Sequence, residues 1–219
     1  MQISIADVLD GEQLAAAQDV LRECSFTDAR ASAGWAAMET KQARIALASP
    51  AVEVLRDQIR LALLAHPMFQ LAAQPKVIIG PAFVRYGVGC SYGSHTDDPI
   101  MEGIRTDAAF TLFLSAPETY EGGALLIESA AGPEAIKLNA GALHLYPATS
   151  LHAVAPVTSG ERLVAVGWVR SLIRDAARRE LLFDLETARR SIFSTHGKTP
   201  AFDLMSKSAA NLVRMWCED

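Results

Sequence analysis

A succession of short β-rich runs in the middle of the chain constrains its fold more than any other feature. Segments 77–79, 83–86, 109–115, 124–128, 134–138, 142–146, 151–156 and 163–169 are of this kind, and clusters of Gly, Pro, Asn and Ser separate them at close intervals. That rhythm predicts antiparallel strands closed into a sandwich or barrel. Pro147, Pro156 and Gly160 punctuate the series, and Glu121-Gly122-Gly123 marks a turn before a strand. Helical periodicity brackets it on both sides. Leu14, Ala17, Val20 and Leu21 recur at helical spacing behind a capping Asp10, and Pro50 opens a second helix with Val54, Leu55, Ile59, Ala62 and Leu63 on one face, ending near His66-Pro67. Residues 25–48 are less periodic and read as strand and loop. After the β-runs, Asp175 caps a helix over 176–191 with Leu181, Leu182, Leu185 and Ala188 as its apolar stripe, and a last helix spans about 200–216. The flanking helices are expected to cover one face of the β-core, and their stripes leave open a homodimer contact.

Composition removes several function classes. At 219 residues, 50% hydrophobic and 21% charged, the chain has the makings of one well-cored domain rather than a disordered segment. A net charge of −5 argues against an extended phosphate-binding face, so no nucleic-acid partner is expected. No apolar run reaches the ~18 residues that span a bilayer. The opening MQISIADVLDGEQ lacks a basic stretch followed by an apolar one, and Cys24, Cys90 and Cys217 are too far apart to suggest a disulfide framework or a zinc motif. A reducing cytoplasm is the expected compartment.

Five histidines are present, and their placement carries the chemistry. His95 and Asp97 stand two apart, so on extended backbone an imidazole and a carboxylate project to the same side. Alone, an H-x-D triplet is a weak signal, as often a surface His with an acidic neighbour. His152 follows at the head of a β-run, and Arg162 opens the next one ten residues later. Two imidazoles and one carboxylate are the facial ligand set of non-haem Fe(II) oxygenases, which leaves positions open for substrate and O2. An arginine beside them suits the far carboxylate of a keto-acid.

The segment from Arg85 to Asp97 reads R-Y-x-x-G-x-x-Y-x-x-H-x-D and resembles the prolyl-4-hydroxylase-like Fe(II)/2-oxoglutarate dioxygenases. More closely, the chain resembles the bacterial PKHD-type hydroxylases, a group associated with iron uptake. The resemblance runs through Tyr92-Gly93-Ser94-His95-Thr96-Asp97, Arg105-Thr106-Asp107, Thr111-Leu112-Phe113-Leu114-Ser115, Tyr120-Glu121-Gly122-Gly123, Leu145-Tyr146-Pro147 and Leu151-His152 to Gly160-Glu161-Arg162. It continues into Arg174-Asp175, Leu181-Leu182-Phe183-Asp184-Leu185 and the N-terminal Asp28-Ala29-Arg30-Ala31-Ser32-Ala33-Gly34, so it covers nearly the whole chain. One departure is Lys41-Gln42-Ala43-Arg44, where the family usually shows a Lys-Asn-x-x-Gln-like stretch; if that stretch lines the substrate entrance, the substrate differs too.

The resemblance implies a mainly β fold, a double-stranded β-helix (jelly-roll) core with flanking α-helices at both ends. Residues 1–75 would form the N-terminal helical flank, 76–170 the catalytic core and 171–219 a C-terminal helical extension, integrated into one domain. His95, Asp97 and His152 would hold Fe(II), with Arg162 and Tyr86 binding 2-oxoglutarate. O2 is the second cosubstrate, and the family adds L-ascorbate (vitamin C). Asp97 as a ligand carboxylate leaves no vacancy for halide, which favours hydroxylation over halogenation. The substrate, a small molecule or a peptidyl residue, would lose hydrogen from an unactivated C–H bond, with succinate and CO2 as co-products. Tyr92, Arg105 and Tyr146 are candidates on the substrate side, although Arg105 and Asp107 could equally pair with each other. His144, within an apolar strand, is a rival ligand but reads as a core histidine needing a single partner. Trp168 reads as core packing, and the arginines around 170–190 as a solvated helix face. The rival reading is a cupin-like metal-binding or iron-sensing module without turnover, and Arg162 argues against it, since a sensor needs no keto-acid clamp.

Overall fold

The computed structural model describes residues 1–218 apart from 33 and 36. Its strands are β1 (Ile3–Ile5), β2 (Phe26–Asp28), β3 (Lys41–Gln42), β4 (Arg44–Ala46), β5 (Pro75–Tyr86), β6 (Ser91–His95), β7 (Ile100–Met101) and β8 (Ile104–Arg105). There follow β9 (Ala108–Phe113), β10 (Tyr120–Gly122), β11 (Leu125–Ile127), β12 (Glu134–Ile136), β13 (Leu143–Pro147), β14 (His152–Val154), β15 (Val157–Gly160) and β16 (Arg162–Ser171). The helices are α1 (Gly11–Glu23), α2 (Pro50–Ala65), α3 (Pro67–Ala73), α4 (Ala176–His196) and α5 (Pro200–Trp216).

Two antiparallel sheets form the jelly roll. The larger runs β1-β13-β9-β16-β5-β4-β2 and the smaller β12-β11-β14-β6-β3, so the chain passes back and forth between them. Because strand residues alternate between faces, the long strands of the large sheet feed two cores. One face sends Phe83, Phe110, Leu112, Leu143, Leu145 and Ala165 against the buried sides of α1, α2 and α3. The other sends Val84, Tyr86, Ala109, Phe113, Tyr146 and Val164 into the space between the sheets, where they meet Leu125, Ile127 and Val154 of the smaller one.

The helices follow the sequence with local differences. Asp10 caps α1 through a capping box, its carboxylate accepting from the Gln13 amide at 2.8 Å and the Gln13 side chain answering at 3.1 Å. On α2 the buried stripe is Val52, Leu55, Ile59 and Leu63, while Val54, expected inside, is 58% exposed. On α4 only Arg179 and Leu182 are buried and Leu181 is exposed. Arg179 is no solvated arginine: it donates to the carbonyls of Ile173 and Arg174, both at 2.7 Å. Helix α5 lies on α4 through Phe193 and Phe202, whose ring centroids are 5.0 Å apart.

The N-terminal segment differs from the expected helical flank. Strand β1 zips onto β13, β2 and β4 extend the large sheet, and β3 joins the smaller one. The runs 77–79 and 83–86 are halves of one strand. The β5–β16 register shifts between Val166 and Trp168, so the chain around Gly80 bulges and the facing residues change phase. Among the described residues no helix is long and apolar enough to cross a membrane.

Candidate active site

The ligand positions converge because of strand register. His95 closes β6 and His152 opens β14, and the two are cross-strand partners. Asp97 lies two residues beyond His95 and turns its carboxylate to the same point. One ligand atom from each of His95, Asp97 and His152 lies within 4.8 Å of the others, and among the described residues this is the cluster able to hold a metal ion.

The surrounding bonds fix how these groups are presented. The Nδ1 of His95 lies 2.8 Å from the Gly93 carbonyl and that of His152 lies 3.0 Å from the Ser150 carbonyl. A carbonyl can only accept, so both Nδ1 atoms carry the proton and both Nε2 lone pairs face the cluster. The Tyr92 ring stacks on His95 at 3.7 Å, and the imidazoles lie 4.2 Å apart. His152 Nε2 approaches Asp97 Oδ1 at 3.8 Å, while Asp97 Oδ2 is buried without a hydrogen-bond partner. An orphaned carboxylate oxygen beside two inward lone pairs fits a divalent cation. Burial, with His152 and Lys41 adding to it, pushes His95 down to about 4, so the ring stays neutral and able to ligate. Burial also raises Asp97, against the opposing pull of His152, Trp168 and Lys41. A bound cation would restore its charged form.

Above this cluster the cavity, about 670 Å³, reaches Arg162. Arg162 is 1% exposed and pairs across the sheet with Tyr86, so the guanidinium lies 5.1 Å from the Tyr86 ring and 5.4 Å from that of Phe113. Its neighbours Tyr86, Tyr120 and Tyr146 all carry phenols that burial holds neutral. Its Nε has no partner, and among the described residues no carboxylate forms an ion pair with it. The turn glycines make room for it. Gly123 has φ +64°, and a Cβ there would sit 3.1 Å from Arg162 Cδ.

Tyr86, Tyr92 and Tyr146 line the same cavity. Arg105 does not: Asp107 at 2.8 Å and Glu218 at 3.0 Å occupy its guanidinium, making it a tie for the C-terminal segment instead of a substrate residue. His144 also stands apart from the cluster. Its cross-strand partner Ser4 meets Nδ1 at 2.9 Å, and burial lowers it to about 4. Trp168, expected as packing, lines the cavity and favours the ionised form of Asp97. Its even-number spacing from Arg162 on one strand was the available signal. Of the Lys41–Arg44 stretch, Lys41 reaches the cavity wall, whereas Arg44 turns away and donates to the Phe26 carbonyl at 2.7 Å.

The fold and cluster define a class, and comparison agrees with it. The sequence profile of the 2OG-Fe(II) oxygenase superfamily matches residues 81–170. In overall fold the chain resembles a prolyl-4-hydroxylase of Pseudomonas putida, with TM-score 0.55 and 24% identity over 78% of this chain and 92% of that one. It likewise resembles HygX of Streptomyces hygroscopicus, solved with nickel and 2-oxoglutarate bound, with TM-score 0.57 and 13% identity over 78% and 84% of the two chains. A PKHD-type hydroxylase of Acaryochloris marina is 51% identical over the full length of both chains, and one of Picosynechococcus is 49% identical over the same span. The chain belongs to the PKHD-type hydroxylases, and is an enzyme of the Fe(II)- and 2-oxoglutarate-dependent dioxygenase class.

Proposed function

We propose that the enzyme hydroxylates an unactivated C–H bond of a small-molecule or peptidyl substrate while 2-oxoglutarate is converted to succinate and CO2. The observation that carries this reading is the buried Arg162 guanidinium, without a carboxylate partner, in the cavity that also holds His95, Asp97 and His152. An unpaired charge at that depth is costly, and an anion entering the cavity offsets the cost. A metal-sensing module has no use for such a group.

Each residue then has a task. His95 and His152 offer Nε2, held in orientation by the Gly93 and Ser150 carbonyls. Asp97 completes one face and leaves the other side of the metal to cosubstrates. Bound Fe(II), with 2-oxoglutarate and O2, supplies the oxidising chemistry that this chain's side chains cannot. Arg162 clamps the far carboxylate of 2-oxoglutarate, Tyr86 supports that clamp with its ring, and Tyr92 and Tyr146 wall the space beside the imidazoles. Asp97 as a ligand also favours oxygen transfer over halide transfer.

The test is release of succinate and CO2 from 2-oxoglutarate by Fe(II)-reconstituted protein under O2, with ascorbate as reductant. Stoichiometric succinate is expected. Metal binding with no succinate under any candidate substrate would return the chain to the sensor reading.

A further inference from the structure

We propose that Tyr120 is the positioning residue of the cosubstrate clamp: its phenol oxygen accepts from the Nε–H of Arg162 and holds the guanidinium fork turned into the cavity. This rests on the dioxygenase reading of that cavity and names what fixes Arg162 for the far carboxylate of 2-oxoglutarate.

Two buried polar atoms point to the pair. The Tyr120 hydroxyl and the Arg162 Nε are each buried without a hydrogen-bond partner. Their side chains converge on Gly123, where a Cβ would lie 3.1 Å from Arg162 Cδ and 3.3 Å from Tyr120 Cε2. A donor and an acceptor that are both out of water, and both packed on one glycine, are satisfied by a single hydrogen bond between them. Burial raises Tyr120 against the pull of Arg162, and Tyr120 in turn favours the charged guanidinium. The other groups around Arg162 are already engaged. Tyr86 and Phe113 meet it through their rings, at 5.1 and 5.4 Å, and the Tyr146 hydroxyl is bonded to Thr111. Tyr120 is left as the phenol that can accept.

The backbone keeps Tyr120 in place. It opens β10 opposite Gly160 of β15, two residues before Arg162 opens β16. The approach needs glycine, since a Cβ at 160 would come within 2.9 Å of Tyr120 Cα. Lys137 donates to the Tyr120 carbonyl at 2.7 Å, and its Nζ lies 4.1 Å from the centroid of the Tyr120 ring. A guanidinium held on so fixed a phenol loses less freedom when it receives a carboxylate.

Two keto acids test the pair without turnover. Fe(II)-loaded protein is titrated anaerobically with 2-oxoglutarate and with 2-oxopentanoate, which has the same keto-acid head and no far carboxylate. The charge-transfer absorption of the iron–keto-acid chelate reports binding. Tyr120→Phe should weaken 2-oxoglutarate about tenfold and leave 2-oxopentanoate within about twofold, with iron stoichiometry unchanged. In an Arg162→Met background the same substitution should move neither acid by more than about twofold. Thermal unfolding confirms that each variant is folded, and Tyr120→Met replaces Tyr120→Phe if it is not. Unchanged 2-oxoglutarate binding, an equal loss for both acids, or an effect that survives without the guanidinium would overturn the proposal. A wild-type protein that takes up iron but no 2-oxoglutarate would overturn the dioxygenase reading with it, whereas tight binding by wild type and Tyr120→Phe alike would overturn the role of Tyr120 alone.

Discussion

The two-residue step from His95, the last residue of β6, to Asp97 just beyond it brings imidazole and carboxylate to one point, and His152 arrives by register from a strand far along the chain. Removing one member leaves two imidazoles with no charge to match a cation. Asp97→Ala is expected to abolish hydroxylation and sharply weaken Fe(II) binding, whereas His144→Val should leave Fe(II) binding intact, since that ring is engaged with Ser4. Metal analysis of the purified variants decides it, and iron loss in the His144 variant would reassign the ligands. That His95, Asp97, His152 and Arg162 share one cavity was legible because their residue types and spacing are chemically restrictive. Trp168 was only half legible: its even-number spacing puts it on the strand face of Arg162, but spacing does not tell a cavity wall from packed core. For Arg105 the alternative of a pair with Asp107 was readable, whereas its second partner Glu218 is distant in sequence and invisible to local pattern.

At the scale of elements, long periodic segments were readable and short ones were not. Helix α1 announces itself by its Asp10 cap and stripe, α2 by Pro50 and its stripe, α4 by its Asp175 cap, and α5 by its span alone. By contrast, β1 is three residues long and exists because β13 accepts it, a pairing between residues some 140 positions apart. Helix α3 hid behind the His66-Pro67 stop, where Pro67 begins a new helix as well as ending the old one. The Gly122-Gly123 turn was readable, and the structure supplies its reason. Gly122 has φ +69°, and a Cβ there would lie 2.1 Å from the Pro156 carbonyl oxygen. Gly122→Ala should therefore cost more than about 1 kcal/mol of stability in urea unfolding. Gly87→Ala, at a position with open space around it, should stay within about 0.5 kcal/mol.

At the scale of the molecule, the jelly roll buries ionisable groups, and stability must follow pH. His144 is buried neutral with its folded value lowered to about 4, against 6.5 when free. Between those values the unfolded chain holds the extra proton and the folded chain does not, so stability falls as pH drops from 6.5 towards 4. The loss attributable to His144 is on the order of 3 kcal/mol. Urea midpoints of chelator-treated protein should fall across that window, and His144→Gln should flatten the decline. A midpoint unchanged from pH 7 to 4.5 would contradict the buried neutral assignment.

The same interior holds the three-residue cluster and the unpaired guanidinium of Arg162 in one cavity, and their joint action on 2-oxoglutarate is the central claim. The most direct measurement is anaerobic calorimetric titration of 2-oxoglutarate into the protein with and without Fe(II), beside Arg162→Met. Binding should require the metal and weaken by about 2–5 kcal/mol in the variant, while the variant still takes up iron. Binding that ignores the metal, or that is equally tight without the guanidinium, would contradict the account.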